Sequence, residues 1–137
     1  MPVIGYLGAA SPAAGAQLMT ALRRSLSDAG FIEGRNVVIE PYWAEGRYDR
    51  IPAIAAEMVR RQVVVIVATG GTAPALAAKA ASTTIPVVFG VTDDPVALGL
   101  VASLARPGGN ATGVTFLLAE LGGKQLELLR ELVPAAT

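Results

Sequence analysis

Val63-Val64-Val65-Ile66-Val67-Ala68-Thr69-Gly70-Gly71-Thr72 is the stretch on which the fold turns. Six apolar residues run without alternation, and two threonines then flank two glycines. A strand buried on both faces reads this way, which places it near the centre of a parallel sheet. Similar runs lie to either side. Strand-like segments begin near Val3, Val37, Val63, Val87 and Thr112, recurring roughly every 25 residues, about the length of one βα unit.

The segments between them read as helices or turns. Val3 to Leu7 is the first strand, and Ser11-Pro12 reads as an N-cap followed by a first-turn proline. Leu18, Met19, Leu22 and Leu26 then recur at helical spacing, and Gly30 is placed to end that helix in a left-handed cap with Phe31 packing back. Asn36 to Trp43 is the second strand. Pro41 lacks a donor for a ladder, so this strand belongs at a sheet edge. Glu45 to Tyr48 is a turn, Asp49 is the expected cap of the next helix, and Ile51, Ile54, Ala55, Met58 and Val59 form its apolar face. Pro74 to Ala81 is an Ala-rich helix and Pro86 to Val91 the fourth strand. Thr92-Asp93-Asp94-Pro95 reads as loop, cap and proline, with a helix expected over Val96 to Leu104. Thr112 to Phe116 is the fifth strand, and Leu121 to Val133 a last helix with Gly122-Gly123 near its start.

Right-handed crossovers wind such strands into an α/β, doubly wound, flavodoxin-like parallel sheet of order 2-1-3-4-5, the order favoured by an edge position for the second strand. Ligands of open α/β sheets bind beyond the carboxyl ends of the strands at the topological switch, here between strands one and three. The expected ligand-binding residues are therefore Ser11, Thr69, Gly70, Gly71, Thr72, Thr92 and Asp93. Hydroxyls, glycines, backbone N–H groups and helix N-termini suit an anionic group such as a carboxylate. Ser11 can be cap and anion site at once. Asp94 reads as a cap, while Asp93 is open between turn former and ligand contact. Trp43 either packs against the Tyr48 turn or walls an aromatic ligand.

Composition removes several classes. The chain has 137 residues, 53% hydrophobic and 16% charged, with eleven basic and eleven acidic residues. That is one domain's length with apolar content enough for a core, and it argues against disorder. There is no basic block, so no nucleic-acid partner is expected. Without His or Cys there is no disulfide, no thiolate and no His/Cys metal site. No nucleophile–base pair is visible, so no catalytic residue, metal or cofactor is expected and enzyme activity is the least favoured class. A response-regulator receiver needs acids after strands one and three, where Ala9-Ala10-Ser11 and Thr69-Gly70-Gly71 stand. Neither GxGxxG nor a Walker pattern follows any strand.

Three groups of segments carry a family resemblance: Gly30-Phe31-Ile32-Glu33-Gly34-Arg35-Asn36; Trp43-Ala44-Glu45-Gly46-Arg47-Tyr48-Asp49-Arg50; and Asp94-Pro95-Val96, Leu100 to Asn110 with its Arg106-Pro107-Gly108-Gly109-Asn110, and Gly123 to Leu129. On these the chain resembles substrate-binding components of ABC transporters, in the type I periplasmic-binding-protein class and the branch similar to tryptophan and aromatic amino-acid binders. The resemblance implies a two-lobed, non-enzymatic binder that closes on a small molecule and delivers it to a membrane permease. It also implies that loops after strands one, three and four hold the ligand, which carries over to Ser11, Thr69 to Thr72 and Thr92-Asp93.

On that resemblance residues 1–117 are the first ligand-binding lobe, and 118–137 a hinge-crossing helix leading toward a second lobe that this stretch does not include. Periplasmic or membrane-anchored export is implied. Met1-Pro2 lead straight into the first strand, so a native chain likewise without a signal peptide would be cytoplasmic. One wall of a cleft alone is expected to bind weakly, in the high micromolar range or worse. Leu126, Leu128, Leu129, Leu132 and Val133 wrap most of the last helix, so a homodimer through Lys124–Val133 is expected. The alternative is an oligomeric regulatory or scaffold module that reuses the lobe without transport.

Overall fold

A computed structural model describes residues 1–69, 71–91, 94–102 and 109–115. Strands β1 (Val3–Gly8), β2 (Val38–Trp43), β3 (Val65–Ala68), β4 (Val87–Val91) and β5 (Ala111–Thr115) form one parallel sheet of order β2-β1-β3-β4-β5. Helix α1 (Ala16–Asp28) connects β1 to β2, α2 (Ile51–Arg60) follows β2 after a short 3-10 turn at Tyr48–Arg50, and α3 (Thr72–Ala81) connects β3 to β4. The expected order holds, with the proline-bearing β2 at one edge.

Alternation along the strands builds two cores. Ile4, Tyr6, Val37, Ile39 and Val67 point to the face covered by Met19, Leu22 and Leu26 of α1. Leu7, Ile66, Ala68, Val87, Phe89 and Val91 point to the opposite face, against Ile51, Ala55 and Met58 of α2 and Ala75 and Ala78 of α3. Burial on both faces is what an all-parallel sheet requires. The central run is not uniformly covered, because Val64, just before β3, is 49% exposed at the amino edge.

Side-chain clasps fix that amino edge. Gly30 adopts φ +97°, and Phe31 and Gly30 donate their N–H groups to the Leu26 and Ser27 carbonyls, the pairing of a Schellman cap. Phe31 stays half exposed beside Leu26. Asn36 spans the following loop: its Oδ1 accepts from the Ile32 N–H at 2.7 Å, and its Nδ2 donates to the Gly30 carbonyl at 2.8 Å. Asn110 does the same before β5, donating to the carbonyls of Ser82 and Ile85 at 3.0 and 2.7 Å.

Four local expectations need correction. Ser11 does not cap α1. Its Oγ accepts from the Ala14 N–H at 3.2 Å, capping a turn over 12–15, and α1 begins after Gly15 without a side-chain cap. Asp49 does not cap α2 either, since it lies inside the 3-10 turn and the N-cap position falls to Arg50. Among the described residues no helix runs from Val96, and 95–99 are turns followed by a bend at 100. Gly99 takes φ +77°, and the Gly99 and Leu100 N–H groups donate back to the Val96 and Pro95 carbonyls, which closes the coil after one turn. Lys79 fastens that turn to α3, donating to the carbonyls of Gly99 and Leu100 at 2.5 and 2.8 Å. Helix α3 starts at Thr72, two residues before the expected Pro74. The expected helix over 121–133 lies outside the described residues.

Beyond β2, Arg61 binds both carboxylate oxygens of Glu40, at 3.2 and 3.0 Å, and the Tyr42 hydroxyl donates to the same group at 2.8 Å. The Arg61 bonds first and the Tyr42 bond second hold the Glu40 carboxyl below its usual range. A folded-state pKa below the unfolded one stabilises the fold above the ordinary carboxylate range, and that contribution is lost as pH falls through the folded pKa. Thermal melts of Arg61→Met against the parent protein should show a deficit near neutrality that closes on acidification. A deficit constant with pH would refute the assignment.

Candidate functional site

Parallel pairing brings the carboxyl ends of all five strands to one edge. There the loop after β1 is fastened to the turn after β2. Ala44, Glu45 and Gly46 donate their N–H groups to the carbonyls of Gly8, Ala10 and Ala9 at 2.9, 3.1 and 2.8 Å. Glu45 and Gly46 take positive φ, 54° and 80°, to reach these acceptors.

Trp43 closes this corner. The register pairs it with Gly8, and a Cβ at Gly8 would lie 2.6 Å from the indole Cζ3. A Cβ at Gly15 would strike Cη2 of the same ring. Two residues without side chains thus let the indole lie against backbone. The Tyr6 ring completes the seat, its centroid 5.3 Å from that of Trp43 at an interplanar angle of 56°, within the range of favourable tilted aromatic pairs. The sequence left Trp43 between packing and ligand wall. It packs on Gly8, Gly15 and Tyr6 and also lines an open depression of about 420 Å³ with Tyr48, Ala9, Ala10, Leu18 and Gly46.

Tyr6 divides this depression from a smaller one. The second, about 230 Å³, lies between α1 and the sheet and is lined by Tyr6, Leu18, Ala21, Leu22, Ser25, Val67 and Thr69. The Thr69 hydroxyl, at the switch between β1 and β3, donates toward the Tyr6 oxygen across 3.5 Å. Next along the edge is the N-terminus of α3. Gly71 precedes it with φ 127° and no side-chain cap, and the space a side chain would fill there is open. Asp94 begins the turn after β4, its Oδ1 accepting from the Val96 N–H at 2.9 Å, so it caps a turn where a helix cap was expected.

Of the expected site residues, Thr69, Gly71 and Thr72 stand together at the β3–α3 junction, and Ser11 stands in the loop after β1. Gly70, Thr92 and Asp93 lie outside the described residues. Sequence reasoning missed Tyr6, Tyr48 and Gly15, and it placed Gly8 in a converging loop without its role under the indole. A pairwise register would have revealed the part played by Gly8, since Gly8 opposite Trp43 marks a glycine under an indole. Among the described residues no group of acidic side chains could hold a metal ion. The site offers aromatic faces, hydroxyls and backbone N–H groups, which can hold a small amphipathic molecule.

A family model described as ABC transporter substrate binding protein matches residues 11–137. A tyrosine-binding protein of Clostridioides difficile (strain R20291) is 35% identical over 113 residues, covering 82% of this chain and 32% of the relative. The chain thus spans about a third of that curated relative's length. Solved structures are similar too, among them these three. The ligand-free, open form of a substrate binding protein with adhesive properties from Clostridium difficile has TM-score 0.76 and 30% identity, over 84% of this chain and 39% of that one. An ABC domain in complex with L-Trp from Streptococcus pneumoniae has TM-score 0.74 and 26% identity, over 83% and 38%. A conserved domain protein from Vibrio cholerae has TM-score 0.81 and 29% identity, over 98% and 44%.

Gly15→Val tests the corner. A branched side chain would push the indole from its seat, and overpacking of this kind costs about 1–3 kcal/mol. Urea unfolding should show that loss together with a red shift in the fluorescence of Trp43, the single tryptophan. An unchanged spectrum would place the ring elsewhere.

Proposed function

The chain belongs to the ABC transporter substrate-binding protein family, and on that premise we propose that residues 1–117 form the first lobe of a two-lobed solute binder for a small aromatic amino acid. Residues 118–137 cross toward the second lobe. The aromatic depression beside the switch point carries this reading: Trp43, Tyr48 and Tyr6 line it, and the similar proteins are described as tyrosine-binding and as a complex with L-Trp.

The ligand's ring lies against Trp43 and Tyr48. Its carboxylate meets the N–H groups at the start of α3, beside Gly71 and Thr72, where the helix dipole favours negative charge. Ser11, Thr69, Gly70, Thr92 and Asp93 contribute polar contacts from the neighbouring loops. Binding is the whole of the activity, with no reaction step, and the loaded protein hands its solute to an ABC permease outside the cytoplasm. The alternative, a regulatory or scaffold module, differs in needing no permease.

Titration of this chain with L-tyrosine and L-tryptophan tests the reading. Dissociation constants in the high micromolar range or weaker are expected, with resonance shifts at Gly8, Trp43, Tyr48, Thr69 and Gly71. Shifts confined to the amino edge around Phe31, or sub-micromolar binding by a monomer, would contradict it.

Self-association through Lys124–Val133 belongs to the same proposal, because Leu126, Leu128, Leu129, Leu132 and Val133 give that segment an apolar sequence pattern. Sedimentation should show a dimer that Leu129→Glu dissociates. A monomer at high micromolar concentration would count against it.

A further inference from the structure

Tyr6 stands apart from the other aromatic residues of the site. It is 2% exposed, yet it lines both depressions at the carboxyl edge. A phenol carries one donor and two acceptor positions, and a buried one ordinarily has its hydrogen-bonding capacity met. Here the hydroxyl has one contact among the described residues, the Thr69 hydroxyl at 3.5 Å. That is long for an O–H···O bond, whose usual distance is about 2.7–2.8 Å. Thr69 is the donor in it, so the Tyr6 proton has no acceptor among the described residues.

The ring is held in place by Trp43, which rests in turn on Gly8 and Gly15. The hydroxyl is therefore fixed in position and underused, at the boundary between two cavities whose lining is otherwise largely apolar. A fixed donor in such surroundings distinguishes ligands by whether they bring an acceptor. A phenol or alcohol oxygen supplies one. A plain phenyl ring leaves the donor unpaired in an apolar site, which is the costly outcome.

We infer that Tyr6 is a specificity-determining residue whose hydroxyl reads a hydroxyl group on the ligand's aromatic ring. This rests on the reading of the site as an aromatic amino-acid binder. It adds that hydroxylated rings are preferred over bare ones, and it assigns that preference to one atom.

The test compares L-tyrosine with L-phenylalanine on the parent chain and on Tyr6→Phe, which deletes one oxygen and keeps the ring against Trp43. The indole N–H resonance of Trp43 follows each titration. The parent chain should favour L-tyrosine by about three- to tenfold, the range one net hydrogen bond supports. Tyr6→Phe should abolish that preference, weakening L-tyrosine by more than it changes L-phenylalanine. A parent chain without preference, or a preference that survives in Tyr6→Phe, overturns the inference while leaving the site assignment standing. If neither amino acid moves the resonance, the proposed function itself fails, and this assignment with it.

Discussion

A parallel sheet cannot be assembled from hairpins, because each strand must be re-entered from the same end. Every crossover here leaves the sheet at the carboxyl edge and returns to the amino edge. The strand–helix loops therefore gather on one side of the molecule whatever their sequences. Residues as distant in the chain as Ser11, Trp43, Thr69 and Asp94 share that edge because of backbone pairing alone. The reversal of winding between β1 and β3 then parts α1 from α2 and α3 onto opposite faces, and the gap between them is where a ligand finds room.

The two edges use their polar groups differently. At the amino edge Asn36, Asn110 and Ser82 satisfy loop carbonyls and N–H groups, and Arg23 pairs with Glu33 across the loop after α1. These contacts consume the local side-chain capacity. At the carboxyl edge the β1 and β2 loops are joined through backbone bonds, which leaves the side chains of Trp43, Tyr48 and Thr69 to line the depressions. An edge built this way can be stiff and still present groups to a solute.

Most of the fold was legible because burial patterns follow directly from chain direction. The Val63–Ala68 run, the proline in β2 and the Gly30 cap each depend on neighbours in sequence, and each was read correctly save that β3 begins at Val65 and Val64 is half exposed. The errors arose where two local signals competed. Val96 to Leu104 has helical spacing, but Gly99 in the left-handed region ends the coil, and Leu100 and Val101 are buried by a turn. Ser11 and Asp49 have capping chemistry, but each stands ahead of its helix, before a turn in one case and inside a 3-10 turn in the other. The site was half legible. The switch point follows from strand order, so the β3–α3 loop could be placed. The aromatic corner could not, because it depends on the register of β1 against β2, which pairs Gly8 with Trp43. A single sequence carries no direct signal for that register.

Pro41 has a consequence of another kind. It lies within β2, at the open margin of the sheet, opposite Tyr6. A proline fits an outer strand when its missing donor faces away from the ladder, so the rim of the sheet is interrupted at that position. An incoming strand from another molecule would find no complete row of partners to continue. Beside the gap, the charged Glu40–Arg61 pair keeps water close to the same margin. The residue that marks β2 as an outer strand thus also acts against open-ended polymerisation, disfavouring cross-β growth along this side.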